Sequence, residues 1–227
     1  MTDDITTVKV VLLGASGVGK TSIINQFVSK KFDPECLTSL SAQFTSKTFY
    51  FEDIEKSIRF DIWDTAGQEQ YRSLAKIFYK EAKIIVLVYD ITNVKSFNEL
   101  KNFWYEQTKS ECDSDVITAV VGNKYDKTDE EAVSYDEGKE FANKIGAIFQ
   151  QTSALSNYGI EKLFKNLGYK YFNPTFDIEA TEQEAKKRYE LKKKEEEESK
   201  KNRKKLNYNN NSAKDTKAKK AKCCGMK

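Results

Sequence analysis

The chain has 227 residues, enough for one globular domain with a tail or for two small domains, with 39% hydrophobic and 32% charged residues, a formal net charge of +3 and no histidine. That charge is too small to argue for nucleic-acid binding, and the missing imidazole excludes a histidine base, nucleophile or metal ligand. Any chemistry must use carboxylates, hydroxyls, lysine, the backbone and a cofactor metal. Taken in order, Val8 to Leu13 is a continuous apolar run, as expected of a strand covered on both faces of a parallel sheet. A glycine-bearing loop follows, then Thr21 to Ser29 with helical periodicity through Ile23, Ile24 and Phe27. Phe44 to Phe51 and Ser57 to Trp63 read as a hairpin turning at Glu52-Asp53. Gln70 to Lys80 is a polar helix, Ile84 to Asp90 a buried strand, and Ser96 to Thr108 a helix with Phe97, Leu100 and Trp104 on one face. Strand Val116 to Gly122, helix Ser134 to Ile145, strand Ala147 to Thr152 and helix Gly159 to Tyr171 complete the pattern. Strands alternating with helices predict a doubly wound α/β sheet with one antiparallel edge, and ligands of such sheets bind beyond the carboxyl ends of the strands.

Four motifs follow predicted strands at that end. The first, Gly14-Ala15-Ser16-Gly17-Val18-Gly19-Lys20-Thr21, has phosphate-loop spacing between a strand and a helix. Its glycines let backbone N–H groups of Ser16 to Ser22 face anionic oxygens, and the helix N-terminus adds partial positive charge. Lys20 is expected to reach the β- and γ-phosphates and the Thr21 hydroxyl to ligate Mg²⁺. In Asp64-Thr65-Ala66-Gly67-Gln68, the aspartate can hold a metal-bound water, Gly67 can offer an N–H to the γ-phosphate, and Gln68 can orient the attacking water. Asn123-Lys124-Tyr125-Asp126 reads the base. A carboxylate accepts from the guanine N1–H and 2-amino group together, a donor pair that adenine lacks, and such sites reject the wrong partner by ~10⁴-fold. Lys124 can lay its stem along the purine ring; Ser153 and Ala154 of Thr152-Ser153-Ala154 can brace Asp126 and offer an N–H to the guanine oxygen. Phe32 is either a stacking partner of the base or a core aromatic. GTP and GDP with Mg²⁺ are the expected ligands.

Over about residues 7–172 the chain resembles the Ras superfamily of small GTPases, and within it the Rab family. The stretches that carry the likeness are Asp61-Ile62-Trp63-Asp64-Thr65-Ala66-Gly67-Gln68-Glu69, Tyr71-Arg72-Ser73-Leu74, Tyr89-Asp90-Ile91-Thr92 with Ser96-Phe97, and the C-terminal Cys-Cys. The resemblance implies a phosphate-loop fold with a six-stranded, mostly parallel sheet, one antiparallel edge strand and helices on both faces. It implies a GTP-on, GDP-off cycle, switch segments near 34–45 and 65–80, and an effector-facing aromatic trio at Phe44, Trp63 and Phe78. Its partners would be an exchange factor, a GTPase-activating protein, effectors, a GDP-dissociation inhibitor, and Rab geranylgeranyl transferase with its escort protein. One departure stands in the first switch: Ser39-Leu40-Ser41-Ala42-Gln43-Phe44 puts Ser39 where the family has its Mg²⁺-binding threonine, with Thr38 as the alternative ligand. A serine keeps the hydroxyl. The Thr-Ser-Leu-x-Ala-x-Phe run, Ser73-Leu74-Ala75 and the Cys-Cys-x-x-x ending resemble early-endosomal Rabs. No arginine near the phosphate loop or first switch offers a charge in cis, so unaided hydrolysis should be slow.

The G domain is expected over 5–174, with a charged tail over 175–227. From Glu179 to Lys205 the tail carries Glu–Lys and Glu–Arg pairs at four-residue spacing, such as Glu190–Lys194, each worth only ~0.2–0.5 kcal/mol. No apolar face accompanies them, so a solvated charged helix and plain disorder both remain open. Lys214, Lys217, Lys219, Lys220 and Lys222 precede Cys223 and Cys224, and basic residues near an anionic leaflet contribute ~1 kcal/mol each. The ending, with Lys227 last, is a poor CaaX box but resembles Rab substrates that receive two geranylgeranyl groups, and two lipids suffice for stable anchoring. Cys36 and Cys112 lack zinc-finger spacing and read as reduced thiols. With no apolar leader, no run near the ~20 residues of a spanning helix and Thr at position 2 in place of a myristoylated glycine, the chain is expected in the cytosol unless its C-terminus is modified. The cytoplasmic face of intracellular membranes, early endosomes first among them, is then the expected location. The alternatives are a nucleotide-locked scaffold that never turns over GTP, which intact Gln68, Lys20 and Asp64 disfavour, and another Ras-like branch.

Overall fold

Where a strand is covered on both faces, its sequence stops alternating. β4 (Ile84–Asp90) is such a strand: each of its seven residues is buried. The computed structural model of the protein describes residues 5–34, 43–65, 78–181, 183, 187 and 193. Its centre is a six-stranded sheet formed by β1 (Ile5–Leu13), β2 (Gln43–Phe51), β3 (Lys56–Asp64), β4, β5 (Ile117–Asn123) and β6 (Ile148–Gln151), in the order β2-β3-β1-β4-β5-β6. β1 runs parallel to both β3 and β4, and β5 parallel to β4 and β6. β2 alone is antiparallel, paired with β3 as a hairpin whose register sets Phe44 opposite Trp63. The expected mixed α/β sheet is therefore present, with its antiparallel strand at one edge.

Alternate residues of the central strands feed two cores. Val10, Leu12, Ile58, Phe60 and Ile62 are fully buried, and Phe60 packs with Phe27 of α1 (Lys20–Ser29) and Phe164 of α5 (Ile160–Phe172). The Phe27 and Phe164 rings stack at 3.7 Å, within 9° of parallel. The other core joins Val11, Leu13, Ile85, Leu87 and Tyr89 to Phe97, Leu100, Trp104 and Ala142. Each such side chain contributes roughly 1.5–3 kcal/mol on leaving water, which stabilises the sheet that carries the loops.

Element boundaries depart from the sequence expectation wherever polar groups decide them. β1 starts at Ile5 rather than Val8, because Ile5 to Thr7 pair with Ser57 to Arg59 although they are not buried. β5 is shifted by one residue and includes Asn123. The helix expected over Ser96–Thr108 begins at Val94, where Asn93 accepts from the N–H groups of Lys95 and Ser96 at 3.0 and 3.3 Å. It runs as α2 (Val94–Glu99), a π-helical turn (Leu100–Trp104) and α3 (Tyr105–Glu111), with right-handed helical dihedrals at both junctions. Trp104 is wholly buried there and its Nε1 donates to Glu99 Oε1 at 3.0 Å. α4 (Tyr135–Lys144) opens on a capping box between Ser134 and Glu137. Cys112 is a free thiol, pushed up to about 11 by burial and then by the neighbouring Asp113 and Glu111 carboxylates.

Cα packing divides the chain into two units, Met1–Thr175 and Phe176–Lys227. In the second, residues 178–181, 183, 187 and 193 are helical, and the Thr181 N–H donates to the Asp177 carbonyl at 3.2 Å. Among the described residues no helix is long and apolar enough to cross a membrane.

Candidate nucleotide-binding site

The loop between β1 and α1 is shaped by what cannot fit beside it. A Cβ on Gly14 would stand 2.1 Å from the Val88 carbonyl oxygen, and one on Gly19, at φ +95°, would stand 2.4 Å from Asn123 Nδ2. Ser16 and Gly17 are exposed at the loop's crest, while Val18 is buried beneath them. Lys20 opens α1 and is only 6% exposed; its Nζ donates to the carbonyls of Gly14 at 2.8 Å and Ala15 at 3.0 Å. Burial lowers its pKa to about 8, partly opposed by the carboxylates of Asp64 and then Glu99. A buried ammonium resting on neutral carbonyls is a ready partner for an anion.

Beside it, Thr21 Oγ1 donates to Asp64 Oδ2 at 2.5 Å, bringing a helix-start hydroxyl against the last residue of β3. Thr65 fixes that end of β3 by donating its hydroxyl to the Leu12 carbonyl at 2.7 Å. Ser22 is half-buried on the same first turn of α1. A hydroxyl and a carboxylate are hard oxygen donors of the kind Mg²⁺ takes. Among the described residues no group of three His, Cys, Asp or Glu side chains could hold a metal ion.

The base-reading residues hang from the ends of β5 and β6 and are joined to the phosphate loop. Asn123 is buried; its Nδ2 donates to the Val18 carbonyl at 2.8 Å and its Oδ1 accepts from the Thr152 hydroxyl at 3.1 Å. Asp126 is exposed, and its Oδ1 accepts from the Oγ of Ser153, which is fully buried. Lys124 stands at φ +69° and directs its ammonium to Asp90 Oδ2 at 2.6 Å. Ala154 is buried, and its carbonyl accepts from Gln26 Nε2 of α1 at 3.0 Å. One polar network thus spans the loop for phosphates and the loops for a base. The sequence model of the Ras family matches residues 9–173. The chain belongs to the Ras family.

This makes it a small GTPase of a family that binds GTP and GDP with Mg²⁺, generally hydrolyses GTP, and works with exchange factors, GTPase-activating proteins and effectors. Several predicted residues of this Ras-family chain are brought together. Phe44, Trp63 and Phe78 form a row, with ring centroids 5.1 Å apart for the first pair and 5.5 Å for the second. Phe44 is half-exposed, and Lys9 Nζ lies 5.5 Å from the Trp63 ring. Phe32 is half-buried and outside both cores. Ser39, Gly67, Gln68, Cys223 and Cys224, with Cys36, Thr38 and most of the second switch, lie outside the described residues.

Sequence reasoning assigned no individual role to four residues that hold the site of this Ras-family chain. Gln26, Thr152 and Asp90 act through the bonds just described, and Thr92 donates both its N–H and its hydroxyl to Asp90 Oδ1, at 2.9 and 2.7 Å. None stands inside a nucleotide motif except Thr152. Asp90 and Thr92 stood in the sequence only within the Tyr89-Asp90-Ile91-Thr92 stretch that carries the family resemblance, and Asp90 also closes a buried strand, where a carboxylate needs a reason.

Proposed function

We propose that this Ras-family chain is a Rab-like GTPase that marks the cytoplasmic face of an intracellular membrane, the early endosome, and recruits effectors only when GTP-bound. The observation that carries its guanine switch is the exposed Asp126 carboxylate, braced by buried Ser153 and tied through Asn123 to the phosphate loop. Asp126 would accept from the guanine N1–H and 2-amino group, and the Asn123–Val18 bond fixes the span between base and phosphates. Lys20 would exchange the carbonyls of Gly14 and Ala15 for phosphate oxygens, a stronger partner for its charge. When bound, Mg²⁺ would be held by the hydroxyls of Thr21 and Ser39 and, through water, by Asp64, and would neutralise charge on the phosphates. Gln68 would align the attacking water with the γ-phosphorus. With no arginine supplied in cis, unaided turnover is slow, and an activating protein adds ~10³–10⁵ in rate, so hydrolysis serves as a timer.

The Rab-like stretches from Asp61 to Leu74, Tyr89 to Thr92 and the final Cys-Cys support the finer reading, as does the Phe44–Trp63–Phe78 row as an effector surface. Geranylgeranyl groups on Cys223 and Cys224, beside the lysines from Lys214 to Lys222, would anchor it, with a GDP-dissociation inhibitor maintaining a cytosolic pool. Single-turnover hydrolysis with and without a Rab GTPase-activating domain tests the timer, and fast unaided turnover would remove it. Mass spectrometry of the native protein with both cysteines unmodified would remove the anchor, and imaging against endosomal and Golgi markers decides the compartment.

A further inference from the structure

The residue between Lys124 and Asp126 is a tyrosine, and four residues beyond Ala154 stands another. Their rings stack: Tyr125 and Tyr158 have centroids 4.8 Å apart at an interplanar angle of 20°. Backbone and side-chain bonds also hold the two loops that bear them. The Tyr125 N–H donates to the Thr152 carbonyl at 3.0 Å, and Ser153 and Tyr158 exchange two N–H···O bonds, each 3.0 Å. The Ser156 N–H donates to Ser153 Oγ at 3.1 Å, the same oxygen that braces Asp126. Tyr158 is 49% exposed, so burial alone does not explain where its ring lies. The stack thus joins the same two segments that the Ser153–Asp126 bond joins.

We propose that the Tyr125–Tyr158 stack is a clasp that positions Asp126, setting guanine selectivity and nucleotide residence time from outside the pocket. This rests on the reading above that Asp126 takes the guanine. The two tyrosines are positioning residues: the ring faces hold the 124–130 segment against the 152–159 loop, and the carboxylate between them inherits the order. An offset aromatic pair is worth enough to change a dissociation rate about three- to tenfold. A loosened Asp126 loses most for a ligand that uses both of its acceptor bonds. GDP, with its 2-amino group, should therefore suffer more than IDP, which lacks it.

The test measures release of fluorescent GDP and IDP analogues from the full chain, at fixed Mg²⁺, for Y125A, Y158A, Y158L, Y125F, Y158F and Y125A/Y158A. Expected are GDP release about three- to tenfold faster in Y125A, Y158A and Y158L, a smaller change for IDP, and wild-type rates in Y125F and Y158F. The double variant should be no faster than the faster single one, since either change opens the same clasp. Melting curves of the GDP-bound variants confirm that each remains folded, and Y158L retains bulk without the stacked ring. Additive effects, equal acceleration of GDP and IDP, or a guanine-selective protein in which Y158L and Y158A release GDP at the wild-type rate would each overturn the clasp alone. A wild-type chain that holds ADP as tightly as GDP would overturn the guanine reading and the clasp with it.

Discussion

Tyr89 carries a hydroxyl into the core. Its side chain is fully buried near the end of β4, and among the described residues its OH has no hydrogen-bond partner. The oxygen is received by two glycines: a Cβ on Gly122 of β5 would lie 2.8 Å from it, and one on Gly138 of α4 only 2.3 Å. A buried polar group left unsatisfied costs about 1–3 kcal/mol, so Y89F, which retains the ring contact to Phe97 at 4.8 Å, should stabilise the protein by about 1 kcal/mol. For a domain of this size that is a rise of roughly 2–4 °C in Tm. G138A should do the reverse. Alanine would gain about 1 kcal/mol of helix propensity, but its methyl would also meet the Phe149 ring at 2.8 and 2.9 Å, and overpacking of that kind costs about 1–3 kcal/mol. In Y89F/G138A the nearest obstacle is gone, so the double variant should be more stable than the sum of the singles by about 0.5 kcal/mol or more. Urea unfolding of the GDP-loaded proteins measures all three. The pH dependence gives an independent check. Burial, with the Glu131 and Glu137 charges adding to it, raises the Tyr89 pKa above the usual 10.0, so its contribution is intact below pH 10 and declines above it, where the unfolded chain ionises and the folded one does not. Y89F should flatten that decline. A Y89F protein less stable by 1 kcal/mol or more would show that the hydroxyl is satisfied and the reasoning wrong.

G19A forces a side chain to φ +95° and into Asn123 Nδ2, so GDP release should accelerate at least tenfold, about 1.4 kcal/mol; an unchanged rate in a stopped-flow trace would mean the phosphate loop is not held by Asn123. G168A sets a Cβ 2.1 Å from the ring of Phe51, which is itself buried, and should cost about 1–3 kcal/mol in chemical denaturation, with F51L recovering part of the loss. S134A removes the N-cap of α4 and should cost about 1 kcal/mol in the same assay. Hydrogen bonds from the Ser134 N–H and hydroxyl hold the Glu137 carboxyl below its usual 4.5, so the helix start is supported above that pH and weakens as pH falls through the lowered value, a slope that S134A should shrink.

The fold was legible where one physical effect dominated. Unbroken apolar runs such as Ile84 to Tyr89 predict doubly covered strands, and the structure has them. Contacts distant in sequence were not legible. Lys124 on Asp90 and Gln26 on Ala154 join segments that follow different strands. Asn93 as a cap was readable in principle, yet the exposed Val94 masked the helix start. The π-helical turn was invisible for a sharper reason. Phe97, Leu100 and Trp104 are spaced three and four apart, a pattern that an ordinary helix satisfies equally well.

That turn leaves the rod from Val94 to Glu111 out of phase with itself, since its wider pitch accommodates one residue more than a regular helix of the same length. The rod therefore resists editing by single deletions. Loss of Asn98 with the π-helical turn kept would swing Phe97 relative to Trp104 by about a quarter of a revolution, taking either the phenyl ring or the indole from the core. Substitutions can drift along this segment, but its length is locked by a single indole that has only one direction in which to point.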